Sequence, residues 1–142
     1  MNKVNNTRDV AVIIVQNSTG KFLVHQRSAS KKIFPGLYGL GAGGRMEAGE
    51  KPEETAKREL KEELGIIATP KFLFSFPFSY ADFSRASHIA RIFHVVHEGP
   101  FADCSEFKLA GWKSSHEVDE IAASGRMCPD TRLAWELFKR GK

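Results

Sequence analysis

The chain has 142 residues, 42% of them hydrophobic, and a formal net charge of +4. That length suits one domain with a proper core over residues 1–142. No apolar run reaches the length of a membrane span, and the polar start MNKVNNTRDV lacks the hydrophobic stretch of a signal peptide, so a cytoplasmic protein away from membranes is expected. The basic residues are scattered, with Lys31-Lys32, Lys57-Arg58 and Lys139-Arg140 as adjacent pairs, and no RNA-binding motif interleaves them. Long nucleic acid is therefore not expected as a partner, whereas a mild positive field also attracts a small polyphosphate. Cys104 and Cys128 lack C-x-x-C spacing, which argues against a zinc site or a disulfide framework. Cys128 precedes Pro129 at a predicted helix start, where a thiol pKa can fall, although an inert small residue is the simpler reading.

In chain order, 10–15 and 22–26 are rich in β-formers and are joined by a stretch containing Asn17-Ser18-Thr19-Gly20, which predicts an antiparallel hairpin. Phe34 to Leu40 predicts a short strand leading into a glycine loop at 41, 43, 44 and 49. Pro52 suits a first helical turn, Glu53 and Glu54 complement its positive end, and Gly65 can supply a left-handed stop, so 52–64 is predicted as one helix. Over 71–80, Phe72, Phe74, Phe76, Phe78 and Tyr80 alternate along one face of a strand, and Pro77 implies an edge or a break. Such a stripe is read first as core and second as a stacking platform for a nucleobase. Strands at 88–97 and 107–112 and helices at 115–123 and 129–139 complete the chain. His88, His94 and His97 are spaced by 6 and 3 residues, do not share one strand face, and are read as structural or surface residues.

The predicted helix at 52–64 carries the chemistry. Ala56, Leu60 and Leu64 form its apolar stripe, and Glu59 and Glu63 lie on the border, one turn apart. Glu53–Lys57, Glu54–Arg58 and Arg58–Glu62 can pair at i,i+4, each worth about 0.2–0.5 kcal/mol. Glu59 and Glu63 have no such cation at i±3 or i±4. Two partly buried carboxylates cost several kcal/mol, or titrate upward, unless a cation arrives from outside the helix. The helix alone leaves two readings, a solvated acidic face or a magnesium site completed by waters and substrate phosphates.

The segment 44–66, GRMEAGEKPEETAKRELKEELGI, fits G-x5-E-x7-R-E-U-x-E-E-x-G-U at every fixed position, U being a bulky aliphatic residue. It resembles the signature of the Nudix hydrolases. The resemblance implies an α/β fold, an α/β/α sandwich with a mixed sheet. It also implies Mg2+, with Mn2+ as a substitute, held by Glu59, Glu63, Glu62 and a carbonyl near Gly43 or Gly44. The matching roles make Glu50 and Arg58 orienting residues. The implied catalytic set is Glu59, Glu62 and Arg58, and Gly44, Arg45 and Arg85 are substrate-contact candidates. Lys51 stands where the family often has a capping Ser, a difference of about 1 kcal/mol in capping.

The implied reaction is metal-assisted attack of water on a diphosphate linkage, in a small nucleoside diphosphate derivative, and dimers are frequent in the family. His25-Gln26-Arg27-Ser28, Phe34-Pro35-Gly36-Leu37-Tyr38, Glu98-Gly99-Pro100-Phe101 and Pro129-Asp130 also resemble the branch related to isopentenyl-diphosphate isomerase. That isomerase has a cysteine just before the signature glycine, and this chain reads Leu40-Gly41-Ala42-Gly43 there. A nucleotide-binding module without turnover is the other rival, against which stand the intact Glu59, Glu62 and Glu63. For the general base, Glu106 is the leading candidate outside the signature, ahead of Glu117 and Glu120. The polar, aromatic stretch 79–87 is where contacts to the rest of the substrate are expected.

Overall fold

The computed structural model describes residues 9–31, 34–78, 88–102 and 107–141, with the side chains of 107, 109 and 110 left aside. The strands are β1 (Val10–Gln16), β2 (Phe22–Arg27), β3 (Tyr38–Leu40), β4 (Ala42–Arg45), β5 (Lys71–Phe78), β6 (His88–Val96) and β7 (Phe107–Lys113). Helix α1 (Pro52–Leu64) follows β4, and α2 (Ser115–Ala123) and α3 (Pro129–Lys139) follow β7. The sheet runs β3-β2-β1-β6-β5, with β4 paired to β1 and β7 to β2. It is mixed because β1 and β6 are parallel, while the other pairs are antiparallel.

β1 is buried on both faces, which explains its unbroken run of Val, Ala and Ile. Ala11, Ile13 and Val15 meet Ala56, Leu60 and Leu64 of α1 on one side. Val12 and Ile14 meet Val118, Ala122, Ala134 and Trp135 of α2 and α3 on the other. The result is the expected α/β/α sandwich. Leu60 and Leu64 are fully buried, and each contributes about 2 kcal/mol through the apolar surface it removes from water. On the far face, Trp135 packs edge-on against Phe22 at 4.8 Å and donates from Nε1 to Asp119 Oδ1 at 2.8 Å, which ties α3 to α2.

The predicted helices match α1, α2 and α3, and the first hairpin turns where expected. Asn17 Oδ1 accepts from Thr19 N and Lys21 N at 3.1 and 2.9 Å, so the turn is held by a side chain as well as by backbone. Three expectations are corrected. The Phe34–Leu40 segment is extended only over β3, because Phe34 takes φ 52 and Pro35-Gly36 turns the chain before Leu37. The glycine loop is in part a strand: Gly43 and Gly44 lie within β4, opposite Val12 and Ala11.

The aromatic stripe does not keep to one face either. Phe72 pairs with Phe93 but Phe74 pairs with Ile92, so the register shifts and Leu73 is the extra residue of a bulge. Phe72 turns toward the α1 side, edge-on to Phe93 at 5.5 Å. Phe74, Phe76 and Phe78 pack into the core under α2 and α3, and Tyr80 lies outside the described residues. β5 ends the sheet path, as Pro77 requires.

His25 of β2 holds the bend between β3 and β4, its Nδ1 lying 2.8 Å from the Gly41 carbonyl. Burial pushes its pKa from 6.5 down to about 4, so at neutral pH the ring is uncharged and Nδ1 is the donor to that carbonyl. The folded pKa lies below the unfolded one. The stabilisation by neutral His25 is therefore complete above about pH 6.5 and is lost as pH falls toward about 4. Urea unfolding of the wild type and His25→Asn at about pH 7 and about pH 4.5 checks this, and the gap between them should shrink at the lower pH. An equal gap at both would mean that folding leaves the proton affinity of His25 unchanged.

Candidate functional site

The site lies where α1 crosses β4. Position 51 lacks a side-chain acceptor, so Lys51 cannot complete a capping box, but Glu54 Oε1 accepts from Lys51 N at 2.8 Å and secures the other half. Pro52 opens the helix, and Gly65 closes it in the left-handed conformation. Glu59 and Glu63 face the sheet, with the Glu59 side chain 13% exposed and Glu63 8% exposed. Glu63 Oε1 accepts from Gly43 N at 3.0 Å. A Cβ on Gly44 would lie 2.3 Å from Glu59 Oε2, and one on Gly43 would lie 2.7 Å from the Ala11 carbonyl. The glycines thus give the carboxylates and β1 the space that side chains would fill.

Arg58 orients Glu59. Its Nε and Nη2 donate to Glu50 Oε2 and Oε1 at 2.7 and 3.0 Å, a two-pronged contact, while Nη1 donates to Glu59 Oε2 at 2.9 Å. Nη2 also donates to the Arg45 carbonyl at 3.1 Å. Glu50 is held from its other side by Thr55 Oγ1 at 2.7 Å and Glu47 N at 3.0 Å. The hydrogen bonds from Arg58 bring the Glu50 carboxyl down to about 2, so it stays ionised at neutral pH. In turn Glu50 raises Arg58 above its ordinary value.

The helix-surface pairing of Arg58 with Glu54 is replaced by this clamp, since Glu54 is turned to the helix end. Pairing with Glu62 persists at 3.4 Å. Glu59 therefore does have a cation, at i−1. Side-chain direction placed it there, which helical spacing alone could not reveal.

Burial pushes Glu59 up, against the pull of a hydrogen bond from Glu63 and of Arg58. Glu47, Glu50, Glu59 and Glu62 all lie within 3.8 Å of the one Arg58 guanidinium. Buried hard oxygen donors with surplus negative charge fit a divalent cation such as Mg2+. Glu62, 60% exposed, points outward to Arg58. Among the described residues, no three His, Cys, Asp or Glu side chains already converge as a ligand cage. Bringing Glu62 to the pair needs a rotamer change.

Other expected site residues fall elsewhere. Arg45 ends β4 with an exposed side chain. Glu106, Arg85 and the 79–87 stretch lie outside the described residues, as does Cys104. Glu117 and Glu120 belong to α2, on the sheet face opposite α1, where Glu117 accepts from Ser114 N at 2.8 Å and Glu120 pairs with His116. Both are thereby removed as candidates for a base at Glu59 and Glu63.

His94 Nε2 lies 2.8 Å from Gln16 Oε1, His97 Nε2 lies 2.9 Å from the Pro100 carbonyl, and His88 meets Phe78 edge-on, all structural contacts. Cys128 is buried, and burial pushes its thiol up to about 12. Desolvation outweighs any effect of the α3 N-terminus.

A mixed sheet between α1 and the α2–α3 pair, with an acidic helix laid on a glycine strand, places this chain among the Nudix folds. The NUDIX domain family matches residues 6–135, and the chain belongs to the Nudix hydrolase family. The uncharacterised Nudix hydrolase PA4841 of Pseudomonas aeruginosa is 48% identical over 132 residues, 89% of this chain and 74% of that protein. The uncharacterised Nudix hydrolase YfcD of Shigella flexneri is 33% identical over 130 residues, 90% of this chain and 69% of that one. Among solved structures, a MutT protein from Methanosarcina mazei matches with a TM-score of 0.77 at 22% identity, over 99% of this chain and 98% of that one. The NUDIX domain of Shewanella oneidensis NrtR, complexed with ADP ribose, matches with a TM-score of 0.74 at 17% identity, over 94% and 87%. Nudix hydrolases generally need a divalent metal. Among the described residues, no helix is long and apolar enough to cross a membrane.

Gly44→Ala isolates the role of the glycine strand. The new methyl would strike the end of the Glu59 side chain, which can swing away, so the fold should survive by circular dichroism. Divalent-metal affinity should fall at least about tenfold, the scale of losing support around a ligand. Unchanged affinity would show that Glu59 need not sit there. Cys128 should react with thiol reagents far more slowly than free cysteine at neutral pH, checked by timed alkylation.

Proposed function

We propose that this chain is a Mg2+-dependent pyrophosphohydrolase that cleaves the diphosphate linkage of a small nucleoside diphosphate derivative. The observation that carries the reading is the buried pair Glu59 and Glu63, held against Gly44 and Gly43 of β4, with Glu59 sharing its arginine with Glu50. Glu59 and Glu63 would hold the cation, joined by Glu62 and the Gly43 carbonyl. The bound cation would neutralise phosphate charge and activate water. Arg58 directs Glu59 from a position fixed by Glu50, the orienting role that the resemblance implies for it within the catalytic set. Gly44 and the exposed Arg45 border the place where a diphosphate would lie, and Arg85 and Glu106 are retained as contact and base. The ADP ribose complex of NrtR supports a nucleotide derivative as the ligand class.

The same complex keeps a second reading in play, a nucleotide-binding module without turnover. Against it stand Glu59, Glu62 and Glu63 together on α1. The likeness to the isopentenyl-diphosphate isomerase branch is read as descent rather than activity. Ala42 and Gly43 offer no thiol before the signature glycine, and Cys128 is buried at the start of α3.

Turnover of a diphosphate panel that includes isopentenyl diphosphate, with Mg2+ or Mn2+ and products identified by mass spectrometry, tests the reading. Glu63→Gln should cut kcat at least about hundredfold, the scale of losing a major charge stabiliser, while thermal unfolding stays cooperative. Near-wild-type turnover in that variant would reject the metal role of Glu63. Binding without turnover across the panel would favour the module.

A further inference from the structure

Arg91 of β6 belongs to the same sheet face as the acidic pair. The register places Arg91 beside Ala11 of β1, and Ala11 beside Gly44 of β4. Along β6, Phe93 and Val95 join the cluster under α1, whereas Ala90 and Ile92 join the opposite one, so alternation directs Arg91 to the α1 side. At about 4.8 Å between strands, its Cα stands about 10 Å from that of Gly44. The side chain closes part of this gap, because Nη1 lies 3.6 Å from Met46 Sδ, two residues past Gly44. Helix α1 covers β1 and β4, and the Arg91 side chain is left 27% exposed beside it.

The guanidinium is aimed by a neighbour. Asp9 Oδ2 accepts from Arg91 Nη1 at 2.9 Å, its Oδ1 accepts from Ile89 N at 2.8 Å, and its carbonyl accepts from Met46 N at 2.9 Å. Asp9 is thus fixed both to β6 and to the chain leaving β4. Every described contact of Arg91 uses Nη1, and the Nε and Nη2 donors have no protein partner among the described residues. An arginine edge with parallel N–H donors, on a side chain held in direction and only partly buried, is suited to a phosphate or carboxylate oxygen. The diphosphate position proposed beside Gly44 lies on this same sheet face, across Ala11 from Arg91.

We infer that Arg91 is a substrate-binding residue whose Nε–Nη2 edge takes an oxygen of the phosphate farther from the Glu59–Glu63 pair, with Asp9 as its positioning residue. This rests on the pyrophosphohydrolase reading. The rival account is an ion pair that only pins the strand ends together.

The test compares wild type, Arg91→Gln, Arg91→Lys and Asp9→Asn, each also followed by thermal unfolding. Steady-state kinetics are run on the preferred diphosphate, and calorimetry with Mg2+ measures affinity for α,β-methylene ADP and for adenosine. Arg91→Gln should raise KM about tenfold and weaken methylene ADP to a similar extent, with kcat falling less than about threefold and adenosine affinity kept. Arg91→Lys should recover part of the loss and Asp9→Asn should show a smaller one. Wild-type turnover that Glu63→Gln removes, combined with unchanged KM and methylene ADP affinity in Arg91→Gln, overturns this inference and leaves the function standing. Methylene ADP binding that depends on Arg91 in a protein without turnover sinks the hydrolase reading and keeps the site. Absence of both turnover and binding in the wild type removes both. Equal stability losses in the Gln and Asn variants with no change in KM or affinity establish the ion-pair account.

Discussion

Helix α1 can bring Glu59 against β4 because Gly44, the β4 residue that faces it, has no side chain. The Glu59 carboxylate occupies the space of a Gly44 Cβ, and Glu63 accepts a hydrogen bond from Gly43 N at 3.0 Å. The constraint runs both ways. Gly43 passes near the Ala11 carbonyl, so the two glycines serve two contacts, Gly43 with β1 and Gly44 with α1. Leu60 and Leu64 then complete the seal on the apolar side of that helix.

Packing alone would not leave the carboxylates in a useful state. Burial raises the proton affinity of Glu59, and Arg58 opposes this while giving two of its three nitrogens to Glu50. The clamp fixes direction more than it supplies charge. A guanidinium already satisfied by Glu50 is a rigid pointer, and the Glu59 carboxylate it points at sits in a poorly hydrated place. A hard cation lowers that cost, which links the local electrostatics to the chemistry proposed for the chain.

The sheet separates two tasks. Its α1 face carries the acidic pair and Arg91, and the α2–α3 face carries most of the aromatic mass, with Trp135, Phe22 and Phe76 packed under the two helices. Glu117 illustrates the separation. Its carboxylate, drawn down by the Ser114 backbone, is spent on the start of α2. Chemistry at one face can therefore vary without disturbing the packing of the other.

Periodicity and end signals were enough to define the three helices, the first hairpin and the acidic pair, because each depends on residues a few positions apart. The spacing within 44–66 likewise identified the family from the chain alone. Non-local contacts decided the rest. The bulge at Leu73 reverses Phe72 because β6 offers one partner fewer than alternation assumes. β4 is a strand because β1 has an open edge to pair with its glycines. Arg58 abandons Glu54 for Glu50, and Arg91 meets Asp9 across 82 positions of sequence. Which carboxylate an arginine selects depends on where the folded backbone brings both, and spacing along one helix carries no information about that.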